Sequence, residues 1–236
     1  MKGLVLSITA GQGHNQTAMV ISKRFNECGV ECKYLDVYKF INPILSDSVN
    51  KIYLMSTKAI PKIYGGVYRM CEKRGVQSGA GIHGLNRITN SVLSRSLIKL
   101  IQKEKPDFII CTHIFAALLV TYISSIERLN AKTIGVITDF TIHPYWEDSL
   151  LDYYIIANER LTIQGIKKGF PENKFLPLGI PIGTKFSRKI EKSKAKEILN
   201  LHSKHTILVM SGSMGFGAVY NCLLYTSPSP RDGATS

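Results

Sequence analysis

The sequence predicts an α/β fold, a Rossmann-like doubly wound parallel sheet with a second domain cut short after it. Three observations predict it. Short apolar runs without clean alternation recur along the chain, as expected for strands covered on both faces. Segments of helical length lie between them, giving the strand–helix rhythm of a parallel sheet. Proline and glycine fall at the joints, with Pro106 just before one strand and Gly169 to Pro171 ending one helix.

The first strand is expected over Gly3–Thr9, built on Leu4, Val5, Leu6 and Ile8. Thr9, Ala10, Gly11, Gln12 and Gly13 then make a turn, His14 follows, and Asn15–Cys28 reads as a helix. A strand running through a glycine loop into a helix builds a site for an anion or polar ligand from backbone N–H groups. Histidine is the side chain best placed to exchange a proton near neutral pH. The turn is not a dinucleotide fingerprint, because Thr17 and Ala18 stand where a third glycine is needed, and no Gly-Lys-Ser/Thr makes it a P-loop. The alternative is a tight turn with an exposed histidine.

The rhythm continues with a strand at Glu31–Val37, helices at Asp47–Ala59 and Asn86–Glu104, and a strand at Asp107–Thr112. A helix over Ile114–Ile126, strands over Thr133–Thr138 and Tyr153–Ala157, a helix over Glu159–Lys168 and a strand over Lys174–Pro177 complete the first domain. Leu178 to Gly183, rich in Gly and Pro, reads as a linker. A basic stretch with Lys185, Arg188, Lys189, Lys192, Lys194 and Lys196 leads to a further strand at Thr206–Met210, closed by a loop carrying Gly212, Gly215 and Gly217. The expected division is therefore 1–184 for the first domain and 185–221 for the start of a second. Cys222 to Asp232 resembles the frame translation of a transposase adapter used in sequencing-library preparation, so 222–236 is expected to be non-native. A Pro/Ser-rich natural tail is the alternative.

The chain has 236 residues, 44% of them hydrophobic, enough to bury a real core. With 30 basic and 17 acidic residues its formal charge is +13, which attracts anionic partners: nucleic acid, acidic lipid headgroups or a phosphorylated substrate. No apolar run reaches membrane-spanning length. The N-terminus lacks a signal-peptide layout. The five cysteines contain no C-x-x-C pair, which suits a reduced, cytoplasmic setting. His83, His113 and His143 lack ligand spacing with cysteines or acids, so no metal site is expected. No G-x-S-x-G supports a serine hydrolase.

Two further segments can carry chemistry. Thr138-Asp139-Phe140-Thr141-Ile142-His143-Pro144-Tyr145-Trp146 follows a strand at the carboxyl edge, where open α/β sheets bind ligands. Asp139 can orient a base or a substrate hydroxyl, and His143 can bond a headgroup. An N-capping Asp beside a packed aromatic cluster is the alternative. The second segment runs from Lys51 to Arg74 and holds Lys51, Lys58, Lys62, Arg69, Lys73 and Arg74, interleaved with aromatic and aliphatic residues. Such a segment can lie on an anionic membrane surface, or be a solvated face over an ordinary core. No nucleic-acid-binding signature accompanies it, so nucleic acid is not expected as a partner.

Taken together, the Gly-x-Gly-His turn, the Thr-Asp-Phe…His-Pro-x-Trp segment, the Gly-Ile-Pro-Ile linker and the Gly-x-Met-Gly-x-Gly loop resemble, in that order, the monogalactosyldiacylglycerol synthase and processive diacylglycerol glucosyltransferase family. The resemblance covers roughly residues 3–218. One departure is Gln12, where the family commonly has the middle glycine of Gly-Gly-Gly-His. The resemblance implies the N-terminal half of a two-domain GT-B glycosyltransferase. It implies inverting transfer of a hexose from a UDP-sugar, as co-substrate without a separate cofactor, to diacylglycerol, at the cytoplasmic face of the membrane. It suggests His14 as general base or orienting residue, with Asp139 the next catalytic candidate. Gly11, Gly13, His143 and Trp146 would lie on the acceptor side. Gly212, Gly215 and Gly217 would edge the nucleotide-sugar site, and the Lys51–Arg74 cations would dock on anionic lipid. The alternatives are an N-acetylglucosaminyl-type transferase acting on a lipid-linked cell-wall precursor, and a non-catalytic module binding anionic lipid.

Overall fold

The computed structural model describes residues 1–9, 12–41, 93–201 and 205–210. The chain divides into two compact units, Met1–Gly183 and Thr184–Ser236.

In the first unit the described strands are β1 (Lys2–Ser7), β2 (Glu31–Asp36), β3 (Phe108–Cys111), β4 (Lys132–Val136), β5 (Tyr153–Ile155) and β6 (Phe175–Leu176). They form one sheet in the order β2-β1-β3-β4-β5-β6, every pair parallel. The doubly wound parallel sheet read from the sequence is thus the fold. Between β1 and β3 the strand order reverses direction, which makes that junction the topological switch point of the sheet.

The helices are α1 (Gly13–Glu27), α2 (Val37–Ile41), α3 (93–104), α4 (Ile114–Ile126) and α5 (Arg160–Lys167). Two cores show why the central strands have no polar face. Val5, Phe108, Ile110 and Val136 pack with Ala18 and Ile21 of α1 on one side. Leu4, Leu6, Ile109 and Cys111 pack with Leu97 and Ile101 of α3 and with Ala116, Leu119 and Val120 of α4 on the other. Alternate residues of one strand therefore serve opposite layers, and each fully buried aliphatic contributes about 1.5–3 kcal/mol. Helix α4 is apolar nearly all round, and its N-terminus is capped by the His113 ring, whose Nδ1 accepts from the Phe115 amide at 3.2 Å.

The outer strands are held by an aromatic cluster. Tyr154 lies edge-on to Trp146 and to Phe170, and Phe175 packs against both Tyr154 and Phe170. The Tyr154 hydroxyl donates to the Ser149 carbonyl at 2.7 Å and accepts from the Leu151 amide at 3.1 Å, so its one polar atom is satisfied inside the core. A half-buried ion pair at 2.6 Å, Lys168 to Glu147, ties the end of α5 to the short 3-10 helix Pro144–Asp148.

In the second unit a helix α6 (Lys192–Ile198) runs through the basic stretch, its N-terminus capped by the Glu191 carboxylate accepting from the Lys194 amide at 3.2 Å. The strand expected at Thr206–Met210 is not formed: residues 205–210 have no regular structure, and Ile207, Leu208 and Met210 are more than three-quarters exposed. A strand exists only through ladder bonds to a neighbour, and none of the described residues supplies one. Apolar composition sets the preference, but pairing decides the outcome.

Gly135 on β4 is needed for packing rather than for its φ angle. A Cβ there would come within 2.9 Å of the Trp146 ring and 3.0 Å of Tyr154. Both rings are buried, so neither can swing away cheaply. Gly135→Ala is expected to lower unfolding free energy by about 1–3 kcal/mol, read from urea denaturation followed by the fluorescence of the single tryptophan. An unchanged midpoint would mean that the cluster repacks freely.

Candidate active site

Parallel pairing sends the ends of β1, β3 and β4 to one edge, and the residues just beyond them meet there. His14, in the first turn of α1, lies half-buried at the switch point. Its Nδ1 is 2.9 Å from the Thr112 carbonyl oxygen beyond β3 and 2.9 Å from Thr138 Oγ1 beyond β4. Thr112 grips the same residue a second time, its hydroxyl donating to the His14 carbonyl at 3.1 Å. A carbonyl oxygen can only accept, so the His14 ring proton sits on Nδ1. In the neutral ring Nε2 then carries the lone pair, and it is the atom able to take a proton.

His113 packs edge-on against His14, ring centroids 4.6 Å apart. It is almost fully buried, and burial pushes its proton affinity down to about 3, with the neighbouring His14 and His143 acting in the same direction. The amide of Phe115 also occupies its Nδ1. It is therefore a neutral wall beside His14 rather than a second base.

His143 caps the Pro144–Asp148 helix, its Nδ1 accepting from the Tyr145 amide at 3.2 Å. Burial holds its proton affinity below the ordinary value, and the Asp139 carboxylate acts against that shift. Asp139 itself is exposed. The described oxygens bonded to the His14 ring come from Thr112 and Thr138, while the Asp139 carboxylate acts on His143.

On the β2 side, the Asp36 carboxylate accepts from both the amide and the hydroxyl of Thr9, and from the Lys39 amide at 3.1 Å. Thr9 Oγ1 in turn accepts from Asn15 Nδ2 at 2.7 Å. This leaves Asn15 Oδ1 buried with no hydrogen-bond partner among the described residues, an acceptor one residue from His14 that a ligand's donor would satisfy. Gln12 gives α1 no side-chain cap, and its first turn holds no acid, so the positive end of the helix dipole is unscreened by side chains. The space around Gly13 is open, with nothing within 4 Å of where a Cβ would lie.

The structure thus gathers His14 and His143 around His113 and leaves Asp139 on the adjoining loop. Trp146 is elsewhere: at 3% exposure it is a member of the outer aromatic core, which corrects its placement as a ligand-facing residue. The indole packs over Gly135, where the missing side chain makes room for it. Gly11, Gly212, Gly215, Gly217 and the cations Lys51, Lys58, Lys62, Arg69, Lys73 and Arg74 lie outside the described residues. Sequence reasoning passed over Thr112, Thr138 and His113. The available signal was position: a threonine just past the end of two neighbouring strands, and a histidine directly before an uninterrupted helix.

The family described as monogalactosyldiacylglycerol (MGDG) synthase matches residues 14–182, from this histidine to the linker. The chain belongs to that family. Among similar proteins, an uncharacterized glycosyltransferase YkoN from Bacillus subtilis (strain 168) is 23% identical over 95% of this chain and 57% of its own length. A processive diacylglycerol beta-glucosyltransferase from Staphylococcus epidermidis (strain ATCC 12228 / FDA PCI 1200) is 28% identical over 98% of this chain and 58% of its own. The chain therefore spans a little over half the length of these curated relatives of the MGDG synthase family. The solved apo form of the lipopolysaccharide outer core galactosyltransferase WaaB superposes with a TM-score of 0.44 at 15% identity, over 75% of this chain and 44% of that one.

His113 gives the site a pH signature. The folded chain keeps it neutral, while the unfolded chain binds a proton once pH falls below about 6.5. Its contribution to stability is therefore complete above 6.5 and is lost as pH falls from there toward 3. Between pH 7 and 5 the loss is on the order of 2 kcal/mol. His113→Asn, which keeps an oxygen able to cap the Phe115 amide, is expected to flatten most of that slope in urea melts. An equally steep slope in the variant would place the proton uptake elsewhere.

Proposed function

We propose that this chain is the acceptor-side part of an inverting glycosyltransferase that moves a hexose from a UDP-sugar to the hydroxyl of diacylglycerol. Membership of the MGDG synthase family and the names of its relatives support the glycosyl transfer and the lipid acceptor. The observation that carries the reading is the His14 ring, whose proton is tied up on Nδ1 and whose Nε2 is left basic at the switch point.

An inverting transfer is one displacement. The acceptor oxygen attacks the anomeric carbon, the bond from that carbon to the diphosphate oxygen breaks, and UDP leaves with the electron pair. The acceptor's proton must go to a base as its oxygen becomes positive, and His14 Nε2 takes it. The imidazolium so formed donates from Nδ1 to Thr112 and Thr138, so those oxygens bind more strongly as charge develops. The unfilled Asn15 Oδ1 is suited to a second hydroxyl of the acceptor or the sugar. The uncapped start of α1, beside Gly13, suits a phosphate. The alternative acceptor, a lipid-linked cell-wall precursor, would use the same base.

Lys51, Lys58, Lys62, Arg69, Lys73 and Arg74 would hold the enzyme on anionic lipid at the cytoplasmic face. No helix among the described residues is long and apolar enough to cross a membrane.

The chain extended to the length of its relatives provides the test, with UDP-glucose or UDP-galactose and diacylglycerol in mixed micelles. His14→Ala is expected to lower turnover by at least about a hundredfold, the low end of what general-base removal costs, while the urea midpoint moves little. Folded His14→Ala with near-normal turnover would overturn the base assignment. Transfer to a polyprenyl-linked saccharide but not to diacylglycerol would replace the acceptor.

Docking has a separate readout. Each basic residue near an anionic surface contributes about 1 kcal/mol. Reversing Lys58, Lys62 and Arg69 to Glu is expected to weaken vesicle binding strongly, with wild-type binding rising with phosphatidylglycerol content and falling with salt. Unchanged binding would leave the segment as a solvated face.

A further inference from the structure

We infer that Thr138 is a positioning residue whose hydroxyl, with the Thr112 carbonyl, holds the His14 ring proton on Nδ1 and raises the basicity of Nε2. The catalytic consequence rests on the reading above; the hydrogen bond itself does not.

Both oxygens lie 2.9 Å from the same nitrogen, so one N–H is shared between two acceptors. Thr112 alone would fix the tautomer, because its carbonyl cannot donate. Thr138 adds a second acceptor, and one that a side-chain substitution can remove. Its hydroxyl accepts more strongly from a charged imidazolium than from a neutral ring, so it favours the protonated form. Thr138 also stands where β4 has ended, at Val136, and its side chain leaves the strand for the rim. The sequence expectation that β4 continues through Thr138 hides this.

No described carboxylate bonds the His14 ring, so the two neutral oxygens are what tune it. Several ionisable groups surround it among the described residues. His113 faces it from the start of α4 and stays neutral. His143 acts on His113 from the β4 side and is itself acted on by Asp139, Glu147 and Lys168. Asp36 at the end of β2 is tied up with Thr9 and the Lys39 amide. Replacing the Thr138 hydroxyl by a methyl leaves all of these in place, so a change in His14 titration is attributable to the lost bond.

The test is long-range proton–nitrogen NMR on the ¹⁵N-histidine-labelled full chain, with the His14 signals assigned by their loss in His14→Gln. Wild-type His14 is expected to be the Nδ1–H tautomer when neutral; a predominant Nε2–H tautomer would overturn the inference without any variant. Thr138→Val is expected to move the His14 titration midpoint to lower pH, and Thr138→Ser to restore it. Thr138→Ala serves in its place if Val disturbs the fold. An unchanged midpoint in a folded variant overturns the inference.

In the extended enzyme, Thr138→Val is expected to lower kcat about tenfold, the effect of one hydrogen bond to a charged group. KM for both substrates is expected to hold, and the acid limb of the rate profile should move to lower pH. Both outcomes can be told apart from failure of the base assignment. If the NMR shift is present while His14→Ala keeps its turnover, the hydrogen bond stands and the catalytic reading falls. If His14→Ala is inactive while the midpoint does not move, the reverse holds.

Discussion

All six described strands run the same way, and that one constraint places everything else at the site. Parallel pairing requires the chain to return to the starting edge before each new strand, so the segments leaving the strands collect on the opposite edge. The order reverses between β1 and β3, so the helices after them go to opposite faces and leave a crevice. His14 follows β1 and Thr112 follows β3, 98 residues apart in sequence and 2.9 Å apart across that crevice. The bond between them is a product of the sheet, and each strand-end residue inherits its position from ladder bonds far from the rim.

The rim manages charge by burial and by neutral oxygens. A carboxylate against His14 would favour the imidazolium strongly and hold the proton there. Two uncharged acceptors fix the ring's orientation and tautomer instead. Beside it, His113 cannot compete, because protonating it would place a charge in an almost fully buried position with its Nδ1 already used as a cap. Two histidines in edge contact thus have distinct settings, one buried and neutral, the other held at the rim by two oxygens.

Much of this was legible in the amino-acid order, and the misses share a cause. Helix α4 was legible at its observed ends, Ile114 and Ile126, because an apolar run of helical length fills that span. The sheet was legible because buried parallel strands read as unbroken apolar runs. What local pattern could not show is which oxygen a side chain meets across the sheet. Asp139 drew attention as an acid beside a strand end, yet the neighbouring Thr138 reaches His14. Trp146 looked like a ligand platform, yet Gly135 on a different element opens a slot for it in the core. Thr206–Met210 has strand composition, yet composition cannot supply a neighbouring strand.

The position of His14 is fixed by more than one anchor, and the anchors are independent. Thr112 holds its ring and its backbone carbonyl from β3. On the opposite side, Asn15 is bonded to Thr9, Thr9 to Asp36, and Asp36 to the first turn of α2, so the start of α1 is tied to the ends of β1 and β2. A ring held from two strands has little further freedom to lose when a ligand arrives. The same network leaves Asn15 Oδ1 without a donor. Among the described residues that acceptor has no donor, and a ligand hydroxyl beside the His14 ring would supply one.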